Sequence, residues 1–245
     1  MTERRVAVIT GASSGIGAAA AKALHNAGFN LVLGARRIEK VREVGEPLGA
    51  LCLSLDVADA NSVKAFVEQI PTAHLLINNA GGAQGLDKIA DAKDDDWETM
   101  FDSNVLGLMR VTRDLLPKLE LSGMGHVINI GSVAGREAYP GGGGYNAVKF
   151  AVKAITQVMR LEWVGKPIRV TEIAPGLVET DFSVVRFKGD EERAAKVYAG
   201  LTPLSAEDVA DAIVWAATRP LHVNIDEIVI KPLAQASATV VHRTP

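Results

Sequence analysis

Cysteine is almost missing from this sequence. Cys52 stands alone, so no intrachain disulfide can form and nothing argues for an oxidising compartment. An excess of one charge is missing too: 26 Lys and Arg face 29 Asp and Glu, a net charge of −3, which gives no general pull toward nucleic acid or an anionic membrane. No apolar run reaches the roughly 18 residues of a membrane span. The start, Met1-Thr2-Glu3-Arg4-Arg5, runs directly into Val6-Ala7-Val8-Ile9-Thr10 without a leader pattern, so a cytoplasmic location is expected. The five histidines, His25, His74, His126, His222 and His242, lack ligand spacing, and no metal site is expected. No linker, charge block or fixed-period repeat divides the chain, which points to one domain over 1–245.

What is present is a chain of 245 residues with 48% hydrophobic and 22% charged side chains and 23 glycines, enough to bury a substantial core and far from disordered or collagen-like composition. Short β-branched runs predict strands at 6–10, 31–35, 51–56, 75–78, 127–130, 170–174 and 228–230. Helical patterns lie between them at 16–27, 38–48, 61–69, 94–119, 146–163 and 206–218. Such alternation predicts an α/β doubly wound, Rossmann-like fold, a seven-stranded parallel sheet flanked by helices. The near-continuous apolar strands imply that both sheet faces are covered. Two stretches break the pattern, 183–204 and 232–245. Each is expected to be a lid, an interface or a frayed tail.

The first strand ends in Thr10-Gly11-Ala12-Ser13-Ser14-Gly15-Ile16-Gly17 and enters an Ala-rich helix. Glycines let the backbone turn tightly and approach a pyrophosphate, and the helix N-terminus offers unpaired N–H groups to the anion. Gly11, Ser13, Ser14, Gly15, Ile16 and Gly17 are therefore expected cofactor contacts, although the spacing is not literally G-x-G-x-x-G. At the end of the second strand, where an acidic residue would hold a ribose 2′-hydroxyl, the sequence has Arg36-Arg37. Adjacent guanidinium groups suit a 2′-phosphate, which favours NADP over NAD. Asp56, with Val57 beside it, is placed to accept from the adenine amino group.

Tyr145 and Lys149, four residues apart at the start of a predicted helix, share a face. A neighbouring ammonium favours the phenolate and draws a phenol of pKa about 10 toward the working range. Ser132 follows the 127–130 strand, where ligands of open α/β sheets bind, and makes three converging polar groups.

These residues resemble the short-chain dehydrogenase/reductase family over nearly the whole length. The motifs are Thr10-Gly11-x-x-x-Gly15-x-Gly17, Asn78-Asn79-Ala80-Gly81, Asn104, Ser132, Tyr145-x-x-x-Lys149 and Pro175-Gly176 followed by Thr180. The resemblance implies a catalytic tetrad. In it Tyr145 is general acid or base and Ser132 orients the substrate oxygen. Lys149 binds the nicotinamide ribose and lowers the tyrosine pKa, and Asn104 holds a relay water. It also implies cofactor contacts from Asn78, Ala80, Gly81, Pro175, Gly176, Val178 and Thr180, with Asn79 structural, and a homotetramer.

The variable segment from Thr180 to Asp190 and the tail are similar to NADP-dependent 3-hydroxy acid dehydrogenases, which act on serine, L-allo-threonine or 3-hydroxypropionate-type acids and on malonic semialdehyde. A hydroxy acid needs a cation for its carboxylate; Arg186, Lys188 and Arg136 are the candidates. The rival expectations are a 3-oxoacyl-thioester or broad carbonyl reductase with the same tetrad, and a non-catalytic NADP-binding regulator. A methyltransferase would leave Tyr145 and Lys149 unexplained.

Overall fold

Neighbouring residues of the central strands feed two different interiors. In β1 (Val6–Thr10), Ala7 and Ile9 join one apolar cluster while Val8 joins the other. Side chains alternate across a strand, so an unbroken apolar run requires cover on both faces. The structure, a computed structural model, describes residues 4–244; residues 1–3 of the expected leaderless start and Pro245 lie outside the described residues.

The other strands are β2 (Asn30–Ala35), β3 (Leu51–Ser54), β4 (Leu75–Asn78), β5 (Gly125–Ile130), β6 (Ile168–Pro175) and β7 (Glu227–Ile230). They form one parallel sheet in the order β3-β2-β1-β4-β5-β6-β7. All seven expected strands are there. β3 stops short because Asp56 folds back: its Oδ1 accepts from Ala58 N–H at 3.0 Å and its own N–H reaches Ser62 Oγ at 2.9 Å.

The helices are α1 (Gly15–Asn26), α2 (Ile38–Gly45), α3 (Ala60–Glu68), α4 (Asp94–Phe101), α5 (Gly107–Leu121), α6 (Gly143–Glu162), α7 (Phe182–Arg186), α8 (Glu191–Lys196) and α9 (Ala206–Ala217). Leu24 of α1, Val41 of α2 and Ile213 of α9 pack with Ile9 and Leu33 on one face. Phe66 of α3, Leu115 and Leu119 of α5 and Met159 of α6 pack with Val8, Leu76 and Val127 on the other.

Sheet order reverses between β1 and β4, so the C-terminal ends of these strands border the crevice where doubly wound folds bind ligands.

Two expectations change. The single helix over 94–119 is interrupted by a π-helical turn at Asp102–Leu106, which lies between α4 and α5 and carries Asn104. Such an inserted residue re-aims a side chain, and π turns are frequent at functional sites. The irregular stretch 183–204 holds α8 and all but the first residue of α7, fastened by a Ser183–Tyr198 hydroxyl pair at 2.8 Å and a bond from Tyr198 Oη to the Val178 carbonyl at 2.9 Å.

The tail folds back over this segment. Gln235 Oε1 accepts from Leu177 N–H at 2.8 Å, Arg243 Nη2 donates to the Val197 carbonyl at 2.9 Å, and Thr244 N–H donates to the Gly200 carbonyl at 2.8 Å. Leu233 and Val240 stay exposed within the single chain.

Candidate active site

The glycine turn is stitched to the end of β4. The Thr10 hydroxyl accepts the N–H groups of Asn79 and Ala80, each at 3.0 Å. The Asn79 amide donates to the carbonyls of Thr10 at 3.0 Å and Gly11 at 3.1 Å, which gives Asn79 the structural role expected of it. Gly11 and Gly15 hold positive φ, +67° and +53°, and a Cβ on Gly17 would collide with the Gly11 carbonyl.

α1 begins at an extended Ser14 that makes no side-chain cap, with no acidic residue in the first turn. Its first N–H groups and the positive end of its dipole therefore face outward for an anion. A cavity of about 460 Å³ opens there, lined by Gly15, Ala18, Lys22, Thr180 and Ser205 among others. Ser13 and Ile16 are half-buried in the turn, Ile16 against the core.

Arg36 and Arg37 are exposed immediately after β2. The nearby α2 carboxylates are engaged elsewhere, Glu39 with Arg42 at 2.9 Å and Glu43 with Lys40 at 2.8 Å. Asp56 is half-buried, and buried Val57 lies where a Cβ on Gly107 would meet its Cγ2 at 2.7 Å. An open helix terminus, a glycine cradle and two guanidinium groups fit a dinucleotide carrying an extra phosphate.

Asn78 is buried at the end of β4. Its amide points into the sheet, donating to Thr112 Oγ1 at 2.8 Å and Asn129 Oδ1 at 2.9 Å, and Asn129 continues the chain to Thr156 at 2.9 Å. The side chain ties β4 to β5 and α5. Ala80 and Gly81 do border the site. A Cβ on Gly81 would collide with Asn104 Oδ1, so the glycine admits the asparagine. Asn104 Nδ2 donates to the carbonyls of Gly82 at 2.9 Å and Met100 at 2.8 Å, while its buried Oδ1 has no protein partner.

Ser132, buried at the end of β5, accepts Ala134 N–H at 3.1 Å, and its hydroxyl lies 3.5 Å from the Pro175 carbonyl. Gly176 donates to the Ile230 carbonyl at 2.7 Å, Val178 bridges to Leu204, and Thr180 Oγ1 accepts from Phe182 N–H at 3.3 Å with its methyl beside Gly15.

Tyr145 and Lys149 share a face of α6, the lysine Nζ 5.7 Å from the ring centroid and donating to the Ile130 carbonyl at 3.0 Å. Burial lowers the Lys149 pKa to about 8, with the Glu172 carboxylate opposing the fall. Burial raises the Tyr145 pKa and nearby Tyr139 adds to it, while the Ser132 hydrogen bond and the Arg186 guanidinium act the other way.

The three candidate carboxylate anchors separate cleanly. Arg136 is committed: Nη1 donates to Glu172 at 3.1 Å and to the Ser132 carbonyl at 2.9 Å, and Nε donates to Glu227 at 2.9 Å. Lys188 is exposed and paired with Asp96 at 2.9 Å. Arg186 crosses the site from α7. Its Nε donates to the Gly85 carbonyl at 2.9 Å, its Nη1 to Tyr139 Oη at 3.2 Å, and its guanidinium lies 5.5 Å from the Tyr145 ring centroid. Its Nη2 is buried without a partner. A cavity of about 20 Å³, lined by Tyr145, Arg186, Trp97, Met100, Gly141 and Gly144 among others, lies between them. The larger cavity lies between the flank of α1 and residues 179–181 and 202–207, whereas this small one lies against the phenol.

The family model for short chain dehydrogenases matches residues 5–191. The chain belongs to the short-chain dehydrogenase family. This short-chain dehydrogenase is 52% identical over 97% of its length to an uncharacterized oxidoreductase of Mycobacterium tuberculosis, covering 95% of that protein. It is 42% identical, over 96% of its length and 95% of the other, to the NADP-dependent 3-hydroxy acid dehydrogenase of Schizosaccharomyces pombe. Among solved structures, the closed form of serine dehydrogenase complexed with NADP⁺ superposes with a TM-score of 0.93 at 38% identity, over 98% of this chain and all of that one. As a family member the chain is an oxidoreductase, and the seven-stranded Rossmann-like sheet is the fold expected of it.

Proposed function

We propose that this short-chain dehydrogenase is NADP-dependent and interconverts small 3-hydroxy acids with their 3-oxo acids, the serine, L-allo-threonine and 3-hydroxypropionate class. The observation that carries the reading is Arg186 Nη2, a buried cationic donor without a partner beside the Tyr145 ring. An unpaired buried donor is costly, and a substrate carboxylate satisfies it with a charge-assisted bond. Two of the relatives described above carry names that agree, an NADP-dependent 3-hydroxy acid dehydrogenase and a serine dehydrogenase with NADP⁺.

The cofactor is assigned to Gly11, Gly15 and Gly17 with the α1 amides for its pyrophosphate, and to Arg36 and Arg37 for its 2′-phosphate. Asp56 and Val57 would meet the adenine, and Lys149 and Thr180 the nicotinamide end. When bound, NADP(H) supplies and accepts the hydride. Tyr145 Oη gives a proton to the substrate oxygen in reduction and takes it in oxidation, and the Ser132 hydroxyl holds that oxygen in reach. Lys149 keeps positive charge behind the phenol, and Asn104 Oδ1 is the acceptor for a relay water. Arg186 turns the carboxylate end away from the reacting carbon.

The reading treats the described chain as one domain in which 183–204 is the substrate lid, closed by Arg186 onto Gly85. It also takes the protein as a cytoplasmic homotetramer. Exposed Trp97, Phe101, Phe150 and Leu161 on α4 and α6 support assembly, and the unpaired Cys52 suits a reducing compartment. No described helix is long and apolar enough to cross a membrane. The test compares 3-hydroxypropionate with its methyl ester: the free acid should be oxidised by NADP⁺ with the higher kcat/KM, and equal rates would remove the carboxylate site.

A further inference from the structure

Glu172 is a carboxylate in the middle of a buried strand. It is 1% exposed on β6, beside the apolar residues Val170, Ile173 and Ala174. A buried ion pair is often no more stabilising than apolar residues of the same volume, so stability alone gives little reason for it to be there. Its surroundings give a better one. A Cβ on Gly131 would collide with the Glu172 carboxylate, which therefore lies against the residue between Ile130 and Ser132. Arg136 Nη1 joins Glu172 Oε1 at 3.1 Å to the Ser132 carbonyl at 2.9 Å, and its Nε is held by Glu227 at 2.9 Å. From the other side Lys149 Nζ holds the Ile130 carbonyl at 3.0 Å. Three consecutive residues at the end of β5 are thus held by Lys149, Glu172 and Arg136.

We propose that the Arg136–Glu172 pair is a positioning device for the reaction, fixing the backbone that presents the Ser132 hydroxyl and placing the Glu172 carboxylate near Lys149. Arg136 and Glu172 are positioning residues; neither touches substrate. The charged and titratable groups around Lys149 are Tyr145 on its own helix, Glu172 on β6, Arg136 beyond β5 and, across the Tyr145 ring, Arg186 of α7. Of these, Glu172 is the one that favours the ammonium, opposing the burial that works against it. The proposal rests on the reading of Ser132, Tyr145 and Lys149 as the reacting group.

Glu172→Gln keeps the shape and removes the charge, and an Arg136→Met/Glu172→Gln double variant serves if the single change leaves Arg136 too poorly paired to fold. Two measurements apply to Glu172→Gln; the double variant removes a cation along with the anion and is read by its kcat alone. The ¹³Cε resonance of Lys149, assigned with Lys149→Arg, is titrated in the protein alone, and its midpoint should fall by about half a pH unit or more. NADPH oxidation with malonic semialdehyde is followed against pH. Its alkaline limb should move toward acid with kcat down about tenfold, while NADPH affinity by fluorescence stays within about twofold. Glu172→Asp, which restores the charge, should recover the midpoint. A merely structural pair would lower stability and leave midpoint and pH profile in place, so coincidence of both with the unmodified protein overturns the proposal. Tyr145→Phe in the same assay separates the two readings. If it remains active, the catalytic assignment itself fails; if it is inactive while Glu172→Gln matches wild type, only the positioning role fails.

Discussion

Replacing Arg186 by methionine keeps most of the side chain's length and apolar stem and removes the guanidinium. In the structure that group holds the Gly85 carbonyl and the Tyr139 hydroxyl, and has Nη2 buried without a partner beside Tyr145. The two protein contacts act on any substrate by ordering the lid, whereas the free Nη2 acts only on an anion. A hydrogen bond to a charged group contributes about 1.5–3 kcal/mol, which converts to a loss of about 10- to 150-fold in kcat/KM for 3-hydroxy acids. Lid loosening should cost a neutral alcohol of similar size only about threefold, and that smaller loss is common to both substrates. Steady-state NADP⁺ reduction with L-serine and with 1-propanol, for Arg186→Met and the unmodified chain, gives the ratio directly, and added guanidinium should restore part of the acid activity. An equal loss on both substrates would refute the carboxylate role and leave Arg186 as a lid fastener.

Arg36→Asp should raise the KM for NADP⁺ strongly and leave NAD⁺ little changed, because a carboxylate repels a 2′-phosphate; parallel losses for the two cofactors would mean that the arginine does not read that phosphate. Lys149 carries a pKa of about 8 in the unliganded chain, so kcat/KM for carbonyl reduction should fall as pH rises through that value, and a flat profile to pH of about 10 would remove the ammonium from the rate equation. His126 is buried with its pKa driven well below the usual histidine value by desolvation, with Arg169 and Arg5 adding to the effect. Its unfolded form binds a proton that its folded form refuses, so stability should be fully present above about pH 6.5 and decline as pH falls below it. His126→Gln should flatten that part of the urea-denaturation pH profile, and an unchanged slope would place the acid sensitivity elsewhere.

Much of the fold was legible because the strands are short, continuous and apolar. Val6–Thr10 and Leu75–Asn78 read as buried strands from their own residues, and the sheet order then follows from handedness and the reversal at β1 and β4. The π turn at Asp102–Leu106 was not legible, since an inserted helical residue leaves no mark on composition; it is fixed by Asn104 reaching back to Gly82 and Met100. The strand position of Asn78 was legible, whereas the partners of its inward side chain, Thr112 and Asn129, were not.

The shared helix face of Tyr145 and Lys149 was readable from spacing and the place of Ser132 from the strand before it, whereas the choice among three cations was not. Arg136, Arg186 and Lys188 look alike in a sequence. Only packing shows that Glu172 and Glu227 engage the first and Asp96 the last. One signal did stand in plain view: Glu172 interrupts an apolar strand run, and a buried carboxylate asks for a partner and a purpose.

The most direct test of the central claim is a set of specificity constants: NADP⁺ reduction with L-serine, L-allo-threonine and 3-hydroxypropionate, set against NADPH oxidation with an acetoacetyl thioester. The account predicts clear turnover of the free hydroxy acids and little of the thioester. Thioester turnover with the free acids inert would contradict it and move the protein to the acyl reductases of the same family.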